Sequence, residues 1–63
     1  MKSMLDIRAL LKKYGLFIYT GDKKADLEMM ESEIRELYEA KLLEVKDYQM
    51  AMLLLKQEAR KLM

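Results

Sequence analysis

Apolar side chains recur along this chain at spacings of three and four, the period of one face of an α-helix. Met4, Ile7, Leu11 and Tyr14 form the first such stripe, with Leu10 beside it, and predict a helix from Met4 to Tyr14. Ser3 stands where an N-cap belongs, and Asp6 three residues later completes a variant of the capping box. Lys12 and Lys13 suit the negative end of the helix dipole. Gly15 suits the left-handed residue that follows a helix, and Leu16 the apolar contact back to Leu11 that accompanies it.

Leu16 to Tyr19 is apolar and aromatic without helical spacing, and reads as an extended connector packed on the helices. Thr20-Gly21-Asp22 is a turn, with Asp22 as N-cap of the next helix. That helix is expected from Lys23 to Lys41, with Leu27, Met30, Ile34, Leu37 and Tyr38 on its inner face. Glu31 and Arg35 lie four apart on the charged face, in the favourable order for an ion pair. Carrying the stripe forward reaches Lys41 and Glu44, which do not suit a core. A new stripe begins at Val45 and runs through Tyr48, Met52, Leu55, Ala59 and Leu62. This change of phase predicts a break near Leu42 to Lys46, although neither Gly nor Pro marks it, and a third helix with Asp47 in its first turn.

The third helix is apolar almost all round in its first half, because Met50 and Leu54 project away from the stripe and Leu53 lies between. Such a helix is usually surrounded. Either it packs on the second helix with one side and on the first helix and connector with the other, or Met50, Leu53 and Leu54 form a patch for a second copy or another protein. The expected architecture is all-α: one domain over residues 1–63, a compact three-helix bundle with an extended aromatic connector between helices 1 and 2.

Composition narrows the chemistry. A chain of 63 residues buries only about 60% of its unfolded surface. With no Cys and no His, it has no disulfide, no thiolate or imidazole metal ligand and no catalytic triad. The carboxylates of the second helix read as solvated, and Thr20-Gly21-Asp22 lacks the Gly run and Lys of a phosphate loop. We therefore expect no catalytic residues, no metal site, no cofactor and no enzyme. The longest apolar run, Met50 to Leu55, is far short of the roughly 18 residues of a membrane span. Nothing reads as a targeting segment, and a cytoplasmic protein without membrane contact is expected.

Net charge is +1, but its distribution is uneven: +3 over residues 1–21, −4 over 22–44 and +2 over 45–63. Lys12, Lys13, Phe17, Tyr19, Lys23 and Lys24 interleave cations and aromatic rings in a short stretch. If the connector brings the end of helix 1 near the start of helix 2, the lysines meet phosphates while Phe17 or Tyr19 offers a stacking face, as in proteins that bind single-stranded nucleic acid. The competing account places Leu16 to Tyr19 in the core and leaves Lys12 and Lys13 to the helix dipole.

Three stretches resemble the YqgQ family of small helical proteins of Bacillus-like bacteria: K-K-Y-G-L-F-I-Y-T-G-D (Lys12 to Asp22), M-E-S-E-I-R-E-L-Y (Met30 to Tyr38) and K-D-Y-Q-M-A-M-L-L-L (Lys46 to Leu55). The likeness spans nearly the whole chain. It implies a compact helical bundle in a bacterial cytoplasm and brings no catalytic or ligand residues with it.

Overall fold

The computed structural model describes residues 2–62 and contains α1 (Met4–Lys13), α2 (Lys23–Glu39) and α3 (Val45–Arg60). α1 and α2 begin and end where local chemistry satisfies free backbone groups, whereas α3 starts at Glu44 without a side-chain cap. At the start of α1 the Asp6 carboxylate accepts the backbone N–H groups of Lys2 (2.7 Å) and Ser3 (3.2 Å). These bonds, that from Lys2 foremost, hold Asp6 below the usual carboxylate range. The Asp22 side chain accepts the backbone N–H of Lys24 at 3.0 Å and caps α2.

The C-termini of α1 and α2 close in the same way. Gly15, at φ 77°, donates its N–H to Lys12, and Leu16 donates to Leu11, both at 2.9 Å. This is the Schellman pattern expected at Gly15. Lys41 donates to Tyr38 and Leu42 to Leu37, again both at 2.9 Å, with Lys41 at φ 63°. Lys41 therefore ends α2 in the left-handed region rather than continuing it, and the break falls at residues 40–44, two positions earlier than the change of phase suggests. A left-handed residue with a Cβ costs roughly 1–2 kcal/mol. Lys41→Gly should accordingly raise stability by about 1 kcal/mol in urea unfolding; an unchanged or lowered midpoint would contradict the strain assigned to Lys41.

α2 and α3 run antiparallel. Lys23, at the start of α2, reaches Glu58 near the end of α3 at 3.4 Å, while Tyr38 and Tyr48 stack at the opposite end with ring centroids 4.2 Å apart. α1 packs against both. The shared core consists of Ile7, Leu11, Leu27, Met30, Ile34, Leu37, Ala51 and Leu55. The α2 stripe lies where its spacing placed it, with every member buried except the half-buried Tyr38.

Two stripes need correction. Tyr14 is the C-cap of α1 and is partly exposed rather than core. On α3 the inward face holds Tyr48, Ala51, Met52, Leu55 and Glu58, with Ala51 and Leu55 buried and Tyr48 and Met52 packed on the core, whereas the outer members of the expected stripe, Val45, Ala59 and Leu62, are exposed. Ala51 is completely buried and Met52 half-buried. Among the described residues, no helix is long and apolar enough to cross a membrane.

Candidate nucleic-acid interface

The connector is built by alternation. Leu16 and Ile18 are half-buried and pack on the core, whereas Phe17 and Tyr19 stand 76% and 84% exposed. A two-residue period of burial is what an extended segment lying on a surface produces. Both ends are fixed. The Gly15 cap turns the chain out of α1. At the far end, Asp26 accepts the backbone N–H of Thr20 at 2.6 Å and its hydroxyl at 2.7 Å. Asp26 is only 5% exposed, the one charged residue among the described residues that the bundle buries. Thr20 Oγ1 also accepts the Asp22 N–H at 3.2 Å, so the cap of α2 and the end of the connector share one hydrogen-bonded knot.

Between α1 and the connector lies a groove of about 280 Å³. Leu11, Ile18 and Met30 contribute apolar lining, and Arg8, Lys12, Phe17 and Tyr19 also line it. No carboxylate lines it. Arg8 and Lys12 are one helical turn apart on the same face of α1, and neither forms an ion pair among the described residues. The groove therefore combines two uncommitted cations with two exposed rings over apolar lining.

Of the six residues expected at a nucleic-acid site, Lys12, Phe17 and Tyr19 come together here; Lys13, Lys23 and Lys24 do not. Lys13 sits 6.0 Å from the centroid of the Tyr14 ring and lines another hollow with Lys2, Asp6 and Asp47. Lys23 is engaged with Glu58. Hydrogen bonds from Lys61 first, and then from Lys23, hold Glu58 below the usual carboxylate range. Lys24 lines a separate groove between α2 and α3 with Lys56, Glu28 and Glu31, where both signs of charge are present.

Two residues of the site were not singled out in the sequence. Arg8 was legible, lying four before Lys12 on one helix face. Asp26 was legible too: it stands four before Met30, a position facing the core, where a carboxylate requires partners. The alternative of an interaction patch on α3 is reduced by the fold. Met50 and Leu53 are 36% and 51% exposed, but Leu54 is half-buried and packs on the core.

Comparison with known proteins adds one family and one relative. The sequence pattern of a family described as YqgQ-like matches residues 1–61. Over 58 residues the chain is 33% identical to the "Uncharacterized protein YqgQ" of Bacillus subtilis (strain 168), covering 92% of this chain and 82% of that protein.

Proposed function

We propose that this chain, which belongs to the YqgQ-like family, is a non-enzymatic module that binds single-stranded nucleic acid in the groove between α1 and the connector. One observation carries the reading: Phe17 and Tyr19 are turned away from the core, beside Arg8 and Lys12 and around apolar lining. Exposing two rings in a domain with so little core surface forgoes burial worth roughly 1.5–3 kcal/mol for a ring of this size. Stacking of a base on an aromatic ring recovers about 1–3 kcal/mol per base, and the cations attract the adjoining phosphates. A cytoplasmic setting belongs to the same reading and fits a cysteine-free chain.

Salt titration tests the proposal. Two cations neutralising two phosphates give a slope of log affinity against log salt of about −1.4 for a single strand, or roughly sevenfold weaker binding at 200 mM than at 50 mM salt. Fluorescence anisotropy with a labelled oligothymidine should show this dependence. Lys12→Ala should flatten the slope by about 0.7, and Arg35→Ala, on the charged face of α2, should leave it unchanged. Absence of salt-dependent binding to any single-stranded oligonucleotide would remove the proposal.

A further inference from the structure

We infer that the main chain of the connector at Phe17 and Tyr19 hydrogen-bonds the edge of an unpaired nucleobase, so that the site requires bases with free donors and acceptors and not merely flat rings. This inference rests on the nucleic-acid reading above and specifies what is recognised in the ligand. It comes from a difference between the two edges of the connector. Along an extended chain successive N–H groups leave by opposite edges, and the N–H and C=O of one residue share an edge. The edge of the even-numbered residues is tied to the bundle at both ends. Leu16 donates its N–H to the Leu11 carbonyl at 2.9 Å, and Thr20 donates its N–H to the Asp26 carboxylate at 2.6 Å. The other edge carries the N–H and C=O groups of Phe17 and Tyr19. Among the described residues, none of these groups has a hydrogen-bond partner. The same two residues are the exposed members of the segment. An unpaired edge of this kind is a row of donors and acceptors ready for a partner.

Charge selects the partner. Residues 1–21 carry a net +3, and Arg8 and Lys12 line the groove together with Phe17 and Tyr19, where no carboxylate joins them. A second copy of this chain, pairing edge to edge, would bring like charges together; a polyanion is attracted instead. A nucleobase suits the edge because its Watson–Crick side carries donors and acceptors next to one another, and these are free only where the base is unpaired. All four bases offer both kinds of group there, so main-chain contact tolerates different bases and excludes paired ones.

The test compares oligothymidine of about nine nucleotides, a length that one small domain covers, with the same strand in which every thymine is replaced by difluorotoluene, a ring of the same shape without strong hydrogen-bonding groups. Phosphates and stacking faces are kept, so both strands should show the same salt dependence. The difluorotoluene strand should bind at least about fivefold more weakly, the low end for losing one donor and one acceptor contact. Amide hydrogen exchange reads the edge itself. The Phe17 and Tyr19 amides should exchange freely in the unbound protein and slow with saturating oligothymidine, but not with the saturating difluorotoluene strand, while Leu16 and Thr20 stay protected throughout. Equal or tighter binding of the difluorotoluene strand would overturn main-chain recognition and leave stacking and phosphate attraction intact, as would Phe17 and Tyr19 amides that exchange equally fast with and without oligothymidine. Slowing that grows with protein concentration in the absence of oligonucleotide would show that the edge pairs with a second copy, and would overturn the inference too. Failure to bind even oligothymidine would remove the parent reading and this inference with it.

Discussion

Replacing Ile34 with alanine is expected to cost about 2–5 kcal/mol and to unfold a large share of the population at room temperature. Ile34 is completely buried near the middle of α2 and belongs to the core shared with α1 and α3. Removing its outer atoms forfeits their burial and leaves a void that neighbours held by three helices fill only in part. A domain holds roughly 0.05–0.15 kcal/mol of stability per residue, so 63 residues supply about 3–9 kcal/mol. The loss is thus comparable with the whole margin. Urea unfolding followed by circular dichroism measures it, and a midpoint within error of the parent protein would mean that Ile34 is not part of the core.

Asp26→Ala is expected to have the next largest effect, about 2–4 kcal/mol, with a local signature. Hydrogen bonds to a charged acceptor contribute about 1.5–3 kcal/mol each, and the two from Thr20 act together, so their effects do not simply add. Truncating the side chain leaves the Thr20 N–H and hydroxyl without this acceptor. Asp26 also stands in the first turn of α2, where a negative charge is favoured by the helix dipole. Asp26→Asn, which keeps an acceptor oxygen but loses the charge, should lose less. The local signature is hydrogen exchange at Thr20: its amide should be protected in the parent protein and exchange freely in Asp26→Ala under conditions where α2 remains folded. If it stayed protected, Asp26 would not anchor the connector. Oligothymidine binding should weaken in the same variant, because Phe17 and Tyr19 then sit on a segment tied at one end only.

The contrast between these two residues shows what the sequence reveals and what it leaves to packing. Ile34 sits on a stripe whose opposite face is densely charged, so polarity alone marks its direction. The connector offers no such contrast. Leu16, Phe17, Ile18 and Tyr19 are all apolar, and a two-residue alternation is invisible when both faces are hydrophobic. Only the position of the segment against α1 and α2 decides that the aliphatic residues go in and the aromatic ones out. A similar difficulty affects α3: Ala51 carries too little hydrophobic signal to mark a core position, yet it is completely buried. At the end of α2 the obstacle is different. Lys41 takes up a conformation usually given to Gly, and no residue type announces it; only the change of phase between stripes betrays the break.

The basic residues illustrate a further step. Lys12, Lys13, Lys23 and Lys24 are neighbours in sequence, but adjacent positions on a helix point about 100° apart. Lys12 therefore turns toward the connector and Lys13 toward Tyr14, while Lys23 turns to Glu58 and Lys24 to the groove between α2 and α3. Arg8 replaces them at the site because it is one turn from Lys12. Charge clustered along the chain is thus divided among several surfaces, and the groove keeps the two cations that share a face.

The placement of the binding face is tested most directly by a two-dimensional NMR titration of the labelled protein with oligothymidine at low salt. Progressive shifts should concentrate at Arg8, Lys12 and residues 16–20, with Lys24, Lys56 and the outward face of α3 at Met50 and Leu53 unmoved. Shifts centred on Met50 and Leu53, or none at Phe17 and Tyr19 at saturating oligonucleotide, would contradict the assignment of this groove as the nucleic-acid interface.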